Sequence, residues 1–365
     1  NYAIKDVQIN YSAIMKRLLQ LLFLFSFVSF AQIPTYYGSI DLDQNGTDLE
    51  IDLSQLIRET HTTLLPYTSS QPDTWDAVKQ TDLVPGDTEN VLLFYGYDDF
   101  DGNTATDYTR DKDLSCHTTS CSGLFNREHV YARSIANPSL TTEDPGSGTD
   151  AHNLRACDGD MNSNRSNRLF QDSNTSTNSH ITASGNWYPG DEWKGDVARI
   201  VMYMFLRYPN QCPANHIGTG TNTNNTDMPD VFLQWNIEDP VSDYETQRNT
   251  VLESMQGNRN PFIDNPYLAT KIWGGNPAED KWGLLSVIGL NLNHVKIYPV
   301  PVSERLYITN TTSTFIDIAV YNVNGQKIRL PQTNNYLDVR KLKNGFYYLQ
   351  VKEQEEVFTF KFIKN

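Results

Sequence analysis

A polar stretch in the middle of the chain opens with Phe125-Asn126-Arg127-Glu128-His129-Val130-Tyr131. It continues with Asp150-Ala151-His152-Asn153-Leu154 and closes with Asn162-Ser163-Asn164-Arg165-Ser166-Asn167-Arg168, shortly before Phe170. A loop that contains proline and glycine separates the first motif from the second. The stretch thus places an acid next to a histidine and adds a downstream amide and several arginines.

These residue types suit the hydrolysis of a phosphodiester with the help of one divalent cation. The attacking water is a poor nucleophile, and the transition state gathers negative charge that a cation can neutralise. A neutral histidine can accept the proton of water at physiological pH, and an arginine can bind the phosphate. Mg²⁺ prefers hard oxygen ligands and keeps several of its waters. One or two oxygen ligands from the protein are therefore enough.

The spacing of these residues predicts some local geometry. Glu128 and His129 would point to opposite faces of an extended strand, so we expect a kink or bulge there. Asn162 and Arg165 would share a face of a helix. Asparagine, serine and glycine dominate residues 158–167, however, and their helix propensity is low. On spacing alone, this segment is more typical of a polar surface loop.

The first 31 residues are predicted to be an upstream segment and an export signal. Met15-Lys16-Arg17 gives a start and positive charge, residues 18–30 are almost wholly apolar, and Ser29-Phe30-Ala31 is typical of a cleavage site. The apolar run is short for a membrane span, and a buried N-terminal helix is the alternative. We expect residues 1–14 to come from an upstream start site and the mature chain to begin at Gln32.

The composition places limits on the number of domains and on the partners. A chain of 365 residues is expected to form two domains once the signal is removed. A formal net charge of -15 excludes a protein that coats nucleic acid through its overall charge, but it allows a local basic site. Four cysteines allow three disulfide pairings. Cys116 and Cys121 can close a small loop, which would leave Cys157 to pair with Cys212.

The segment between residues 32 and 282 is predicted to be mainly helical. Leucines and isoleucines between Leu49 and Ile57 fall at helical spacing, Val197–Tyr208 is nearly all apolar, and 235–255 again has helical spacing. The apolar run 91–95 predicts a buried strand. Arg199 lies in the first turn of the apolar helix, where a charge needs a partner or must face a cleft. A structural ion pair and a role in the site are both open.

An acidic segment near the start of this region supports a different function. Residues 41–46, with Asp52 at the twelfth position, match half of a calcium-binding EF-hand loop. The usual glutamate is missing and no clear helix precedes the loop, so a surface turn is the simpler interpretation. Together with the acidic residues near Asp98, the segment supports the alternative of a secreted calcium-binding adhesion protein without catalysis.

Taken together, the three motifs of the central stretch resemble the signature of the bacterial endonuclease I family. Collinear similarities at 194–204, 235–241 and 256–264 extend the resemblance over about residues 35–275. It implies a ββα-metal (His-Me finger) site in a secreted or periplasmic nuclease that cuts DNA, and often RNA, with little base preference. The expected fold class is α+β, with a mainly helical nuclease domain at 32–282 that contains the ββα-metal motif.

The resemblance also implies roles for individual residues. His129 would be the general base, and Glu128 and Asn162 would bind the metal, expected to be Mg²⁺, with Ca²⁺ or Mn²⁺ as alternatives. Arg165 is the first candidate for the catalytic arginine that stabilises the phosphate, and Arg133 is the second, because the proline that many members carry after the histidine is absent here. Further substrate contacts are expected from Arg168 and Arg199, and Asp150 and His152 are expected to hold the loop. No stable protein partner is implied, and we expect a monomer.

After Trp282 the sequence changes to short β-branched and aromatic runs with turn signals between them. The runs are 295–299, 305–308, 316–321, 336–339, 346–351 and 357–362. They predict a small all-β sandwich at 283–365. Segments 297–302, 320–325, 344–347 and 360–364 resemble the sorting domain of type IX secretion substrates, although Val300 replaces the usual asparagine. This implies export by the type IX secretion machinery and removal of the domain; a carbohydrate- or protein-binding sandwich is the alternative.

Overall fold

The computed structural model describes residues 33–118, 120–285, 295–310, 317–323, 325–331, 336–353 and 356–365. The expected export signal and the cleavage site before Gln32 lie outside these residues. The chain divides into two compact units between Leu284 and Leu285. Within the described part of the chain, no helix has the length and apolar character needed to cross a membrane.

The first unit mixes helices with short strands. Its described residues form eight α-helices: α1 (Gly46–Thr60), α2 (Thr74–Thr81), α3 (Gly159–Arg165), α4 (Lys194–Arg207), α5 (Asp230–Glu238), α6 (Asp243–Gln256), α7 (Pro261–Asp264) and α8 (Tyr267–Trp273). The strands form three antiparallel pairs: β1 (Asn90–Leu92) with β2 (Thr109–Asp111), β3 (Phe125–His129) with β4 (Leu154–Asp158), and β5 (His180–Ile181) with β6 (Trp187–Tyr188). The unit therefore has the predicted α+β character.

Helix α4 lies at the centre of the core of this unit. Every residue from Gly195 to Leu206 is buried, and the helix packs against α1 and α5. Burial on all sides explains the nearly continuous apolar sequence. Helix α1 buries only one face, formed by Leu49, Leu53 and Ile57. Both helices were predicted, with boundaries shifted by a few residues.

The predicted helical run between residues 235 and 255 is two helices rather than one. Helix α5 ends at Glu238 and α6 begins at Asp243. Pro240 lies between them and cannot donate a backbone hydrogen bond to a helix. Ser242 then caps α6: its hydroxyl accepts from Glu245 N, and the Glu245 carboxylate accepts from Ser242 N. The cap starts a new helix directly after the proline.

The cysteines pair only in part as predicted. Cys116 and Cys121 form a disulfide, with their Cα atoms 5.4 Å apart. Cys157 and Cys212 are free and buried, so the prediction that they pair is wrong. The Cys157 thiol donates to Phe94 O at 3.2 Å, and Cys212 packs in the main hydrophobic core.

The second unit consists of β-strands in its described residues. The strands are β7 (Val295–Tyr298), β8 (Arg305–Asn310), β9 (Asp317–Asn322), β10 (Lys327–Ile328), β11 (Tyr336–Asp338), β12 (Gly345–Glu353) and β13 (Glu356–Lys364). They form a four-stranded sheet in the order β10-β9-β12-β13 and a three-stranded sheet in the order β11-β8-β7, and all pairs are antiparallel. Leu306 and Leu337 from one sheet share a core with Val320 and Leu349 from the other.

Candidate active site

The residues of the central motifs lie on or next to strands β3 and β4 and helix α3. Helix α3 begins directly after β4, so the expectation of a surface loop there is wrong. Its N-cap explains why: the Asp158 carboxylate accepts from Asp160 N at 2.8 Å and from Met161 N at 3.1 Å, and it also pairs with Arg110 at 2.7 Å. Such a cap offsets the weak helix propensity of the segment.

The expected backbone bulge at Glu128 is absent. Strand β3 stays in regular register with β4 as far as the pairing of His129 with Leu154. The two side chains contact different neighbours, as alternation requires: Glu128 contacts Tyr95, and His129 contacts Gly148. Because the strand ends at His129, one cleft at its end can border both side chains.

This cleft has a volume of about 480 Å³ and brings together most of the predicted site residues. It is lined by Arg127, Glu128, His129, Ala132, Arg133, Ser134, Ser139, Leu140, Asn162, Arg165, Ser166 and Asn167. The lining joins the end of β3, the start of the loop that follows it and the last turn of α3. Side chains that lie far apart in the sequence thus face one polar space.

His129 is held at one ring nitrogen by the backbone. Its Nε2 lies 2.8 Å from Gly148 O, and a carbonyl can only accept, so Nε2 carries the proton and donates. The neutral ring then has its lone pair on Nδ1. Burial lowers the pKa of His129 to about 4, with Arg133 and Arg127 acting in the same direction. The ring is therefore neutral at physiological pH and able to accept a proton.

Glu128 is a buried carboxylate with too little positive charge around it. Tyr95 donates to its Oε1 at 3.2 Å, and Arg165 Nε lies 3.3 Å from the same oxygen without the alignment of a hydrogen bond. Burial raises the pKa of Glu128 to about 7, although Arg165 and Tyr95 oppose the rise. None of the described residues donates a hydrogen bond to Oε2. A cation near this carboxylate would offset the cost of its burial.

Asn162 completes the polar wall of the cleft from helix α3. It is half-exposed, and its side-chain amide makes no hydrogen bond with any described residue. Its backbone carbonyl accepts from Ser166 N at 2.8 Å at the end of the helix, which fixes the position of the side chain near the cleft. The amide oxygen is therefore free to bind a ligand.

Arg165 does not have the position that was predicted for it. The side chain forms part of the cleft wall but is fully buried. One terminal nitrogen donates to Ser166 O at 3.0 Å and His129 O at 3.3 Å, and the other donates to Val130 O at 2.6 Å. Because the side chain is fully buried and both terminal nitrogens already donate to backbone carbonyls, the structure disfavours contact between Arg165 and a phosphate. Arg165 instead ties α3 to the end of β3.

Arg133 is the better candidate for contact with a phosphate. It lines the cleft, is exposed and uses only Nε, which donates to Leu140 O at 2.9 Å. Its two terminal nitrogens have no partner among the described residues. Arg168 lies outside the cleft lining and donates to Asn164 O at 2.5 Å, at the carboxyl end of α3.

Arg199 belongs to the core and not to the site, so the predicted substrate contact is wrong. It is fully buried and forms a two-pronged ion pair with Glu245, at 2.6 and 2.8 Å. It also donates to Asn236 Oδ1 and Asp239 O. These partners satisfy the guanidinium within the protein. Of the two roles left open by the sequence, the structure shows the ion pair.

Asp150 and His152 form a separate buried network at the far end of the loop. The Asp150 carboxylate accepts from Tyr203 at 2.8 Å, Tyr208 at 3.0 Å and Gln256 at 3.0 Å. Burial would raise the pKa of Asp150, but His61, His152 and these hydrogen bonds hold it at about 2. Both residues lie outside the cleft lining, in a buried network at the end of the loop.

Tyr95 and Gly148 contribute to the site but were not predicted from the sequence. Tyr95 is the last residue of the apolar run 91–95 and looks like a core residue, and its contact with Glu128 depends on the tertiary fold. Gly148 lies in a loop whose sequence gives no sign of a contact with His129. A Cβ atom at Gly148 would lie 1.8 Å from Thr141 O, so only glycine allows this close approach.

The donor atoms of the cleft fit one hard divalent cation. In the described part of the chain, no three His, Cys, Asp or Glu side chains are placed to hold a metal ion. The acidic segments near Asp41 and Asp98 therefore form no such site. The cleft offers the Glu128 carboxylate and the amide oxygen of Asn162, and a cation bound there would take its remaining ligands from water or phosphate. This set suits Mg²⁺, which usually keeps several waters.

Comparison with known proteins identifies the class of the molecule. Residues 45–267 match the family model for Endonuclease I, and residues 296–365 match that for a secretion system C-terminal sorting domain. An extracellular ribonuclease of Bacillus subtilis (strain 168) is 36% identical over 256 residues, which is 67% of this chain and 80% of that protein. One from Bacillus amyloliquefaciens is 35% identical over 255 residues, 67% of this chain and 79% of that protein.

The protein is therefore a nuclease that is secreted or displayed at the cell surface. The chain belongs to the Endonuclease I family and ends in a C-terminal sorting domain. The alternative of an adhesion protein without catalysis is wrong.

Proposed function

We propose that this nuclease hydrolyses phosphodiester bonds of both RNA and DNA with low sequence specificity at the cleft beside β3. His129 is the general base that takes a proton from the attacking water. Glu128 and Asn162 hold the divalent cation, with Mg²⁺ preferred over Ca²⁺ or Mn²⁺, and Arg133 binds the phosphate. The observation that carries the proposal is that these four side chains line one cleft, with the Nε2 atom of His129 bound to Gly148 O.

Each of these residues has its own role in the proposed reaction. The hydrogen bond to Gly148 fixes the tautomer of His129, so that Nδ1 is the atom that accepts the proton. Arg133 offers two terminal nitrogens, a geometry that matches two phosphate oxygens. The cation, when bound, would neutralise the negative charge that develops on the phosphate. Arg165 and Tyr95 contact Oε1 of Glu128 and hold its carboxylate in place.

The nature of the nucleophile bears on the choice of substrate. If His129 activates an external water, the reaction needs no 2′-hydroxyl group, and DNA is as competent a substrate as RNA. The relatives in Bacillus are named as ribonucleases, which supports RNA as one substrate of this chain. Cleavage through water leaves no 2′,3′-cyclic phosphate, whereas attack by the 2′-hydroxyl would produce one.

The test compares plasmid DNA and a defined RNA as substrates. Wild-type protein should cut both with added Mg²⁺, stop on chelation and leave no cyclic phosphate on the RNA. His129→Ala should lower the rate by about 10²–10⁴-fold while circular dichroism shows a folded protein. His180→Ala, which changes a histidine outside the cleft, is the matched control and should keep its activity. Full activity of His129→Ala would reject the proposed base.

For the C-terminal unit we propose a sorting role that ends when the unit is removed. The nuclease domain would comprise residues 32–282 and the sorting domain residues 283–365, recognised by the type IX secretion machinery. Mass spectrometry of the secreted protein should show a mature N-terminus at Gln32 and the loss of the C-terminal strands. Retention of the whole β-sandwich on the soluble secreted enzyme would contradict removal.

A further inference from the structure

Tyr67 lies beside the general base and has no role in the site as described so far. Its ring is stacked with that of His129, with centroids 5.8 Å apart and planes inclined by 29°, which is within the range of an offset-stacked pair. Tyr67 is half-buried and sits in the segment between α1 and α2. The contact therefore links the base to a part of the chain some sixty residues away.

Arg127 holds Tyr67 in this position. Its guanidinium carbon lies 3.5 Å from the centre of the Tyr67 ring and 4.0 Å from that of Trp75. Its terminal nitrogens donate to the Tyr67 carbonyl, to Thr74 Oγ1 at 2.8 Å and to Thr68 Oγ1 at 3.2 Å. The guanidinium over the aromatic face holds the ring of Tyr67, and the hydrogen bond to the carbonyl holds its backbone.

The alternation of side chains along β3 explains how the Tyr67 ring can contact both Arg127 and His129. Arg127 and His129 are two residues apart on the strand, so their side chains lie on the same face. Glu128 lies between them and faces the opposite side, toward Tyr95. The Tyr67 ring thus covers the face of β3 that carries the base.

A single hydrogen bond at Nε2 restrains rotation of the imidazole about its Cβ–Cγ bond only loosely, because Nε2 lies close to that axis. Gly148 O fixes Nε2 of His129 but not the plane of the imidazole. Stacking against Tyr67 restricts that plane and therefore the direction of the Nδ1 lone pair. Proton transfer depends on this direction, because small errors in the placement of reacting groups can cost about 10²-fold in rate.

We propose that Tyr67 is a positioning residue that orients the base His129, and that Arg127 acts through Tyr67 and does not bind the substrate. This inference rests on the proposed role of His129. Arg127 lines the cleft, so direct binding of a phosphate is the competing role. The side chain is only 7% exposed, however, and its terminal nitrogens are already bound to the protein.

The two roles of Arg127 differ in the kinetic constant that they affect. A positioning residue changes kcat, because the substrate still binds but the base is misdirected. A phosphate ligand changes KM and the dependence of binding on salt concentration. Steady-state kinetics of the full chain on a short RNA, measured at several salt concentrations, separates the two.

We expect Tyr67→Leu to lower kcat by about 10- to 100-fold with little change in KM. Tyr67→Phe keeps the ring and should have a kcat close to that of the wild type. Arg127→Gln removes both the charge and the fork, and it should lower kcat in the same way without changing the salt dependence of binding. The double variant should lose less than the product of the two single losses, since both residues act on one ring. Tyr97→Leu, at a partly exposed tyrosine outside the cleft, is the control and should match the wild type.

Other results would overturn the inference. The inference is wrong if Tyr67→Leu keeps the wild-type kcat or changes only KM. It is also wrong if Tyr67→Phe loses as much kcat as Tyr67→Leu. Should Tyr67→Leu fail to fold, Arg127→Gln decides, and a weaker dependence of binding on salt than in the wild type would show that Arg127 is a phosphate ligand. His129→Ala runs in parallel: if it stays active, the proposed base is wrong, whereas an inactive His129→Ala with a normal Tyr67→Leu rejects only the positioning role.

Discussion

Two pairs of an acid and a histidine lie at the two ends of one loop, and they differ in how their polar atoms are used. Glu128 and His129 keep Oε2 and Nδ1 without a partner among the described residues. Asp150 accepts hydrogen bonds from two tyrosines and a glutamine, and His152 Nε2 lies 3.3 Å from Asn258 O. Both pairs are buried, yet only the first lines the cleft.

The acids of the two pairs show the consequence in their pKa values. Burial raises the pKa of Glu128 to about 7, whereas the surrounding partners overcome burial and hold that of Asp150 at about 2. The Asp150 network has satisfied its charge within the protein and can only stabilise the loop. The Glu128 pair keeps unused polar atoms, which the proposed cation site and general base require. Residue type does not separate the two pairs; the number of unused polar atoms does.

Replacing each acid by its amide should give the largest contrast between the two pairs. Glu128→Gln should lower the rate by about 10²–10³-fold and leave the free energy of unfolding unchanged or higher, because it removes a poorly compensated charge. Asp150→Asn should lower the free energy of unfolding by about 3–5 kcal/mol and leave the kcat of the folded enzyme little changed. Urea unfolding and kinetics measure the two effects. If both variants lose activity and stability equally, the contrast is wrong.

The arginines show the same contrast between side chains with unused polar atoms and side chains whose partners lie within the protein. Arg133→Ala should lower kcat/KM by about 10- to 150-fold, which corresponds to about 1.5–3 kcal/mol for hydrogen bonds to a charged group. Arg168→Ala should have a smaller effect, because Arg168 lies outside the cleft lining. Arg199→Met should chiefly destabilise the protein, since it leaves Glu245 buried without its partner. A larger kinetic effect at Arg168 than at Arg133 would contradict the assignment of the phosphate arginine.

The dependence of stability on pH should differ in sign between His152 and Glu128, and His129, whose pKa burial lowers to about 4, acts in the same direction as His152. Burial lowers the pKa of His152 to about 3 from 6.5, so between these values only the unfolded chain binds the proton. The free energy of unfolding then rises with pH by about 1.4 kcal/mol per unit. Glu128 acts oppositely between 4.5 and about 7, where the folded state keeps a proton that the unfolded state loses.

Urea unfolding of metal-free protein between pH 4.5 and 6.5 checks these signs. His152→Gln should flatten the rise of the unfolding free energy with pH, and Glu128→Gln should make it steeper. Identical slopes in the two variants and the wild type would show that neither group titrates as described.

Elements that rest on local patterns were predictable from the sequence. The apolar helix α4, the amphipathic α1 and the short strands of the C-terminal unit follow from the spacing of apolar residues. The three central motifs, taken together, predicted that Glu128, His129 and Asn162 lie in one site, with Arg133 as the second candidate for the phosphate arginine. For the helices and strands the signal lies within a few residues of the chain, whereas the cleft residues come from separate motifs between residues 127 and 167.

The errors share a different origin, because they depend on partners that are remote in the sequence. Arg165 and Arg199 look alike as sequence signals, yet the terminal nitrogens of Arg165 donate to carbonyls such as that of Val130, and Arg199 pairs with Glu245. An exception is α3, which begins at the local cap formed by Asp158. No sequence signal could show that Gly148 O would meet His129 or that Tyr67 would stack on it. Which polar atoms remain unused is a property of the whole fold.

Binding of Mg²⁺ to the enzyme in the absence of substrate tests the central claim most directly. Isothermal titration calorimetry compares the wild type with Glu128→Gln, Asn162→Ala and Asp150→Asn, each first shown to be folded. We predict one site per chain in the wild type, its loss in Glu128→Gln, a clear weakening in Asn162→Ala and unchanged binding in Asp150→Asn. Wild-type affinity in Glu128→Gln and Asn162→Ala would contradict the account, because the cation would then be held somewhere other than the cleft.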